Sequence, residues 1–447
     1  MTDKKNLYPI LLLLLTVASV YYLVRFRYDA GASYDQYLTD ARNAAKSGVE
    51  STALENYQKA IELNSSDTLY YEVGKMYLDF EDYWNAKNWY ESEMLREYPK
   101  SVLTYKLGIE QSIGREDYED IFAVYQTYKD RQLESDEVEN LITPYINTFE
   151  LSNSYDEVGA YSNMTPLAPV YTETHGWGYI DDEGRTIISN NYQKADVFSE
   201  YAAVVDEKGE PYFIDQEGTI VISGLSLSDV NDDIDEITEF RDYSDLILAR
   251  SNKGWGFYNN NTYELVYGHF EDATYYSNGV AAVTKDGRKW ALLAADGSEI
   301  TGYDYDSIVG DQKGCICRTS IIFAEKDKNF YLINTEGQFV SQQAYGRAKA
   351  FNDDTLAAVN KGGKWLFING AGEEKDLGSF QEAESFSNGL AAVKNNGMWG
   401  YIDMEGNLVV DYQFDEARPM SPYGTAFVRV SSGKWSLLRF YYYKYNK

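Results

Sequence analysis

The sequence predicts a multidomain chain: an N-terminal transmembrane helix, an all-α helical-repeat solenoid, and an all-β repeat domain. Three observations carry that prediction. Residues 7–24 are eighteen consecutive positions without a charge. From Tyr34 to Glu150, small and aromatic residues recur every 33–34 residues. From Trp177 onward, six of the eight Trp fall on one recurring position, in a register whose steps are 34 to 44 residues. A chain of 447 residues has room for several such units.

Composition narrows the function classes. Apolar residues make up 44% and charged residues 25%, as in a globular protein. Lys and Arg number 40 against 71 Asp and Glu, a net charge of −31. Nucleic-acid backbones are bound by clustered cations, so this balance argues against a nucleic-acid partner. Two His and two Cys exclude a structural Cys/His zinc cluster and a disulfide-stapled scaffold.

The segment Leu7–Val24 is flanked by Lys4 and Lys5 before it and by Arg25 and Arg27 after it. At ~1.5 Å per residue it nearly spans a ~30 Å hydrocarbon core, and Tyr21 and Tyr22 sit where an interfacial belt belongs. The small-residue site Ala30-Gly31-Ala32 lies beyond Arg25, Arg27 and Asp29, too far for cleavage of a leader. Residues 1–30 are therefore expected to be a retained anchor in the cell membrane, with the rest of the chain extracytoplasmic.

In residues 31–152, Tyr37, Ala41, Ala44, Ala53, Tyr57 and Ala60 recur as Tyr70, Gly74, Tyr77, Ala86, Tyr90 and Glu93, with Pro99 ending the copy. A weaker third copy begins at Leu107-Gly108, and a capping helix is expected near Asp136–Glu150. These positions resemble the tetratricopeptide repeat, which implies a peptide-binding concavity and no chemistry. Glu93 and Asp120 depart from its small-residue pattern. With 11 basic against 24 acidic residues over 34–150, the segment favours cationic partners.

Over 160–447 the anchor positions are Trp177, Pro211, Trp255, Trp290, Phe330, Trp365, Trp399 and Trp435. Each opens a short apolar run that mostly ends in an Asp/Asn…Gly turn, as in GWGYIDDEG and MWGYIDMEG, which is a hairpin signal. Upstream lie small-residue strands such as AAVV at 202–205 and LAAV at 390–393. Ala195, Ala273, Ala348, Ala383 and Ala417 each follow their anchor by 18 residues. Length varies only beyond such points, at Ser226–Asp245 and Asp306–Arg318. The region resembles the WG-repeat (KWG-repeat) family through Trp177-Gly178, Trp255-Gly256 and Trp399-Gly400. The Gly is lost after Trp290, Trp365 and Trp435. The resemblance implies a bacterial, β-propeller-like domain with no shared enzymatic activity and no cofactor. Eight hairpins are counted, the last without its third stretch. Seven blades closed by residues 426–440 are therefore expected, with an open β-solenoid as the alternative. The acidic excess continues here, with 25 basic against 45 acidic residues over 151–447.

No catalytic or metal-ligating constellation emerges. Asp181, Asp215 and Asp403 are turn residues by repeat position, and Cys315 and Cys317 read as two buried small residues on one strand face. The chain is thus expected to be a non-enzymatic, membrane-anchored scaffold for protein or peptide partners at the bacterial cell envelope. The alternative is a cell-wall polysaccharide-binding module whose ligand-facing aromatics are Tyr303 and Tyr305, which lie outside the repeat-defining positions. A propeller-channel hydrolase using paired carboxylates is a third class.

Overall fold

The computed structural model describes residues 7–198, 201–223, 234–238, 246–352 and 356–445. The chain divides into two compact units, Met1–Thr148 and Phe149–Lys447.

The first unit is helical. Its elements are α1 (Leu7–Lys46), α2 (Glu50–Leu63), α3 (Asp67–Asp79), α4 (Tyr83–Trp89), α5 (Leu95–Glu97), α6 (Val102–Gly114), α7 (Tyr118–Asp130) and α8 (Asp136–Ile142), with a π-turn Tyr90–Met94 joining α4 to α5. Caps explain the starts: Ser66, Asp82, Ser101 and Asp117 each accept a backbone N–H of the helix they precede. The periodic small and aromatic positions form the core, where Ala53, Tyr57, Ala60, Val73, Tyr77 and Ala86 are buried together. Gly74 is needed for approach, because a Cβ there would lie 2.2 Å from Leu107 Cδ2.

The expected membrane anchor does not stand. Residues 7–24 are the opening of one unbroken 40-residue helix that continues through Arg25, Arg27 and Asp29 to Lys46. Eighteen residues supply only ~27 Å of apolar length, and the charges that follow prevent its extension. Among the described residues no helix is long and apolar enough to cross a membrane. The single-pass, extracytoplasmic placement built on that anchor falls with it.

The second unit is an eight-bladed β-propeller of antiparallel sheets. Blade 7 shows the plan: Glu382–Ala383, Leu390–Asn395, Met398–Asp403 and Leu408–Phe414 pair in that order. The short first strands carry the Ala found 18 residues after five of the anchors, and the second strands carry paired Ala such as Ala357-Ala358 and Ala391-Ala392, these four fully buried. Small side chains suit the place where neighbouring blades converge. Anchor strands carry the large residues. The aromatic ring two positions after the anchor packs on the ring 21 positions after the anchor: Tyr179–Phe198, Phe257–Tyr276 and Phe367–Phe386, with centroids 4.8, 5.0 and 4.8 Å apart. The second ring of each pair precedes the small-residue strand of the next blade. The sequence repeat therefore straddles two blades.

The ring is closed. Apolar clusters join each blade to the next, and one of them joins Tyr155, Val158 and Val170 to Phe427, Trp435 and Leu437 across the chain ends. The expected count of seven is corrected to eight. The terminal strands Thr425–Arg429 and Trp435–Phe440 do not complete the first blade. They form their own with Glu416–Ala417 and receive Phe149–Tyr155 as the fourth strand, in register Phe149↔Phe440 and Leu151↔Leu438. Residues 149–152, read from sequence as the end of the helical segment, thus belong to the propeller. The variable stretch Ser226–Asp245 lies largely outside the described residues.

Candidate functional site

In the helical unit several acidic residues stand at the turns between the two helices of each hairpin. Asp82 and Asp117 are N-caps there, accepting from Asn85 N and Asp120 N at 3.1 Å each. Acidic side chains are favoured at such helix starts, and Glu50, Asp79, Glu81, Glu116 and Glu119 accompany them. The turns neighbour one another: Tyr83 packs against Gly114, and the Arg115 guanidinium lies 5.3 Å from the Trp84 ring. Trp84 is 67% exposed. Beneath it Asp120 accepts from Ser112 Oγ (2.8 Å), Gln111 Nε2 (3.1 Å) and Arg115, with Lys87 Nζ at 3.6 Å. Burial works to raise the Asp120 carboxyl, but the hydrogen bonds from Gln111 and Ser112 and the charges of Lys87 and Arg115 hold it below its ordinary value.

Elsewhere in the unit several carboxylates have partners on neighbouring helices. Arg42 binds Glu72 at 2.6 Å, Tyr71 donates to Glu110 at 2.8 Å, and Lys106 binds Glu137 at 2.6 Å. A concavity of about 480 Å³ lies beside this ladder, lined by Arg42, Tyr57, Glu72, Lys75 and Asp79. Of the turn acids, Asp117 pairs with Arg115 at 2.9 Å and Asp79 with Lys75 at 3.4 Å. Sequence reasoning missed Trp84 because it sits off both repeat registers; that very absence from either period is the signal that marks it.

On the propeller, the anchors are structural in position. Trp365, Trp399 and Trp435 are buried, and Trp177, Trp255 and Trp290 are half-buried at the starts of their strands. Trp435 lies between the guanidinium groups of Arg418 and Arg429, at 4.9 and 4.7 Å. Gly178, Gly256 and Gly400 sit where the pairing to the next strand slips, by two residues across Gly178 and Gly400 and by one at Gly256. At Gly400 a Cβ would meet the Val410 carbonyl at 2.5 Å, and at Gly256 it would meet Leu265 Cδ1 at 2.6 Å. Of the two aromatics singled out as ligand-facing, Tyr305 is only 5% exposed and belongs to the core between blades 4 and 5. Tyr303 packs against the neighbouring core and carries Lys285 Nζ 4.5 Å above its ring. Asp181 and Asp403 hold their turns, each accepting two backbone amides.

The geometry defines a closed propeller preceded by a stack of helical hairpins. The model of the WG containing repeat matches residues 177–209, 255–290, 332–365, 379–399 and 399–435. The chain therefore carries WG-containing repeats at these five places. The match lies wholly within the second unit, and no comparison supports the tetratricopeptide resemblance of residues 31–152. The structure departs from a regular repeat there too, through the π-turn in the second hairpin and the charged knot at Asp120. No curated protein matches the chain. Among solved structures, it is similar to the computationally designed Ika8 protein (13% identity, TM-score 0.45, 65% of this chain and 98% of that one). BamB from Moraxella catarrhalis is similar at 9% identity and TM-score 0.40, over 66% of this chain and all of that one. PorZ, a surface component of the type-IX secretion system of Porphyromonas gingivalis, is similar at 11% identity and TM-score 0.34, over 62% and 42%.

Proposed function

We propose that the protein is a non-enzymatic interaction scaffold whose helical unit receives a cationic segment of a partner protein at the Trp84 edge. One observation carries the reading: the turn between α3 and α4 exposes the Trp84 indole directly after Glu81 and Asp82, and the neighbouring turn, with Glu116 and Asp117, meets it through Arg115. A solvated Trp costs stability where it stands, and Trp and Arg are the residues that dominate binding hot spots. A Lys or Arg side chain laid on the indole would gain a cation–π contact and the field of the surrounding carboxylates. The burial of Tyr305 weighs against the polysaccharide reading, which needed that ring at the surface.

The test is a titration of the whole protein with a fluorescein-labelled hexalysine peptide, read by anisotropy. Binding that weakens with salt, drops about tenfold in Trp84→Ala, and falls again in Glu81→Gln with Glu116→Gln is expected. Unchanged binding in both variants would sink the proposal.

A further inference from the structure

The propeller holds a cavity on its axis, at the end where each blade's first strand turns into its second. Five blades build its wall, through Tyr161, the turn 311–318, Asn352, Ser387 and Arg418. The longer loop of blade 5 crosses toward the far side of the ring. Its Lys313 Nζ donates to Asn163 Oδ1 of blade 1, and its Lys313 carbonyl accepts the Tyr275 hydroxyl of blade 4. This loop is one of the two stretches whose length varies in the repeat pattern.

Charge sets this cavity apart from the rest of the molecule. Its ionisable lining is Asp311, Lys313, Arg318 and Arg418, three cations and one carboxylate, within a domain that carries 20 more acidic than basic residues. The carboxylate is already committed. Asp311 Oδ2 accepts from Arg318 Nε at 2.8 Å, and Oδ1 accepts the amides of Lys313 and Cys315 at 2.8 and 2.9 Å. Arg418 is held in place by the face of Trp435. A net +2 in a partly enclosed, low-dielectric setting attracts an anion far more strongly than the same charges would in open water.

Size then selects the anion. The cavity offers about 30 Å³ to water-sized centres. One water needs ~10–15 Å³ by that measure, so the enclosed part has room for about two oxygen atoms, the number a carboxylate presents. We propose that the axial cavity is a carboxylate-binding site, with Arg418 and Lys313 as its cationic contacts. Guanidinium and ammonium groups suit this task, since charge-assisted hydrogen bonds to carboxylate oxygens are about twice as strong as neutral ones. The carboxylate arrives either on an acidic peptide or as a small free acid. The site lies in the other unit from the Trp84 edge and is of opposite sign, so the two readings fail independently.

The experiment uses the whole protein at low salt with a fluorescein-labelled, end-capped hexaglutamate peptide, read by anisotropy. Saturable binding that weakens with salt is expected, with K313Q and R418Q each losing about tenfold. K59Q, which removes an exposed lysine from the helical unit, should bind as the unaltered protein does. Displacement by unlabelled hexaglutamate alone supports a peptide source, and equal displacement by N-acetylglutamate supports a free acid. If either cavity variant fails to fold, the unaltered protein still decides the matter: bound hexaglutamate should slow phenylglyoxal modification of Arg418, read by mass spectrometry. No saturable binding, equal loss in K59Q, or unprotected Arg418 would overturn the proposal.

Discussion

Trp365 shows what a single residue does in this fold. Its indole is 6% exposed and packs with Phe367, Phe380 and Phe386 at the seam between blades 6 and 7. Replacing it by Ala leaves a void that the surrounding strands refill only in part, costing ~3–5 kcal/mol. Thermal unfolding of the Trp365→Ala protein should show that loss with no specific ligand effect. A variant that melts normally would mean the indole is not core. The two thiols behave as packing groups for the same reason. Burial pushes the Cys317 thiol up to about 11 and moves Cys315 in the same direction. Only the thiolate is nucleophilic, and about a thousandth of Cys317 carries it at pH 8. Iodoacetamide at that pH should leave both cysteines unlabelled in the native protein and label both in denaturant.

At the scale of elements, the closing strand Phe149–Tyr155 is the decisive one. Phe149 sets its ring edge-on to Phe414 and Phe440, with centroids at 6.4 and 6.0 Å, and Glu150 pairs with Arg439 at 2.6 Å. Phe149→Ala should cost about 2–3 kcal/mol, since the side chain is only partly buried. Amide exchange should quicken first along Trp435–Phe440, whose outer partner is loosened; exchange that quickens uniformly over all blades would contradict the assignment. This strand also marks the limit of what the chain reveals in one dimension. The blades were legible because tapering seams demand Ala at one spacing and aromatic rings at two others, and these demands repeat. Phe149–Tyr155 meets no such demand: Asn153 takes a positive φ of 60°, the register slips between Ser152 and Tyr155, and inside–outside alternation is lost. The axial cavity was equally hidden, because its lining is drawn from five blades and has no local pattern. Trp84 and the apolar opening of α1 erred in opposite directions. One was overlooked for lacking a period, and the other was over-read from its hydropathy, its flanking charges and its tyrosines.

Across the whole molecule, tyrosine burial couples folding to alkaline pH. The hydroxyls of Tyr276 and Tyr71 are raised by burial first, then by the neighbouring Tyr267 and Glu110, and Tyr161 and Tyr401 are raised chiefly by burial. In the unfolded chain these groups ionise near pH 10. The folded state keeps its protons to higher pH, so the unfolded state holds fewer of them above that point and stability falls as pH rises. Below pH 10 this contribution is fully present. Denaturant midpoints should accordingly be flat from pH 8 to about 9.5 and then drop steeply, with tyrosinate absorbance appearing together with unfolding. Tyrosinate that appears fully before any loss of structure would show that these rings are accessible.

Closure by an early strand also has a cost in time during synthesis. Glu150 and Tyr441, which hydrogen-bond across the closing seam, stand 291 residues apart. At ~5–20 residues per second, the first strand waits some 15–60 s on the ribosome before its partner exists. For that interval seven blades can stack while the eighth site stays open and a bare strand edge is offered to any other extended chain nearby. The fold is therefore most exposed to mispairing at the moment just before it is complete, and a nascent chain stalled short of Trp435 would be the form most in need of a chaperone.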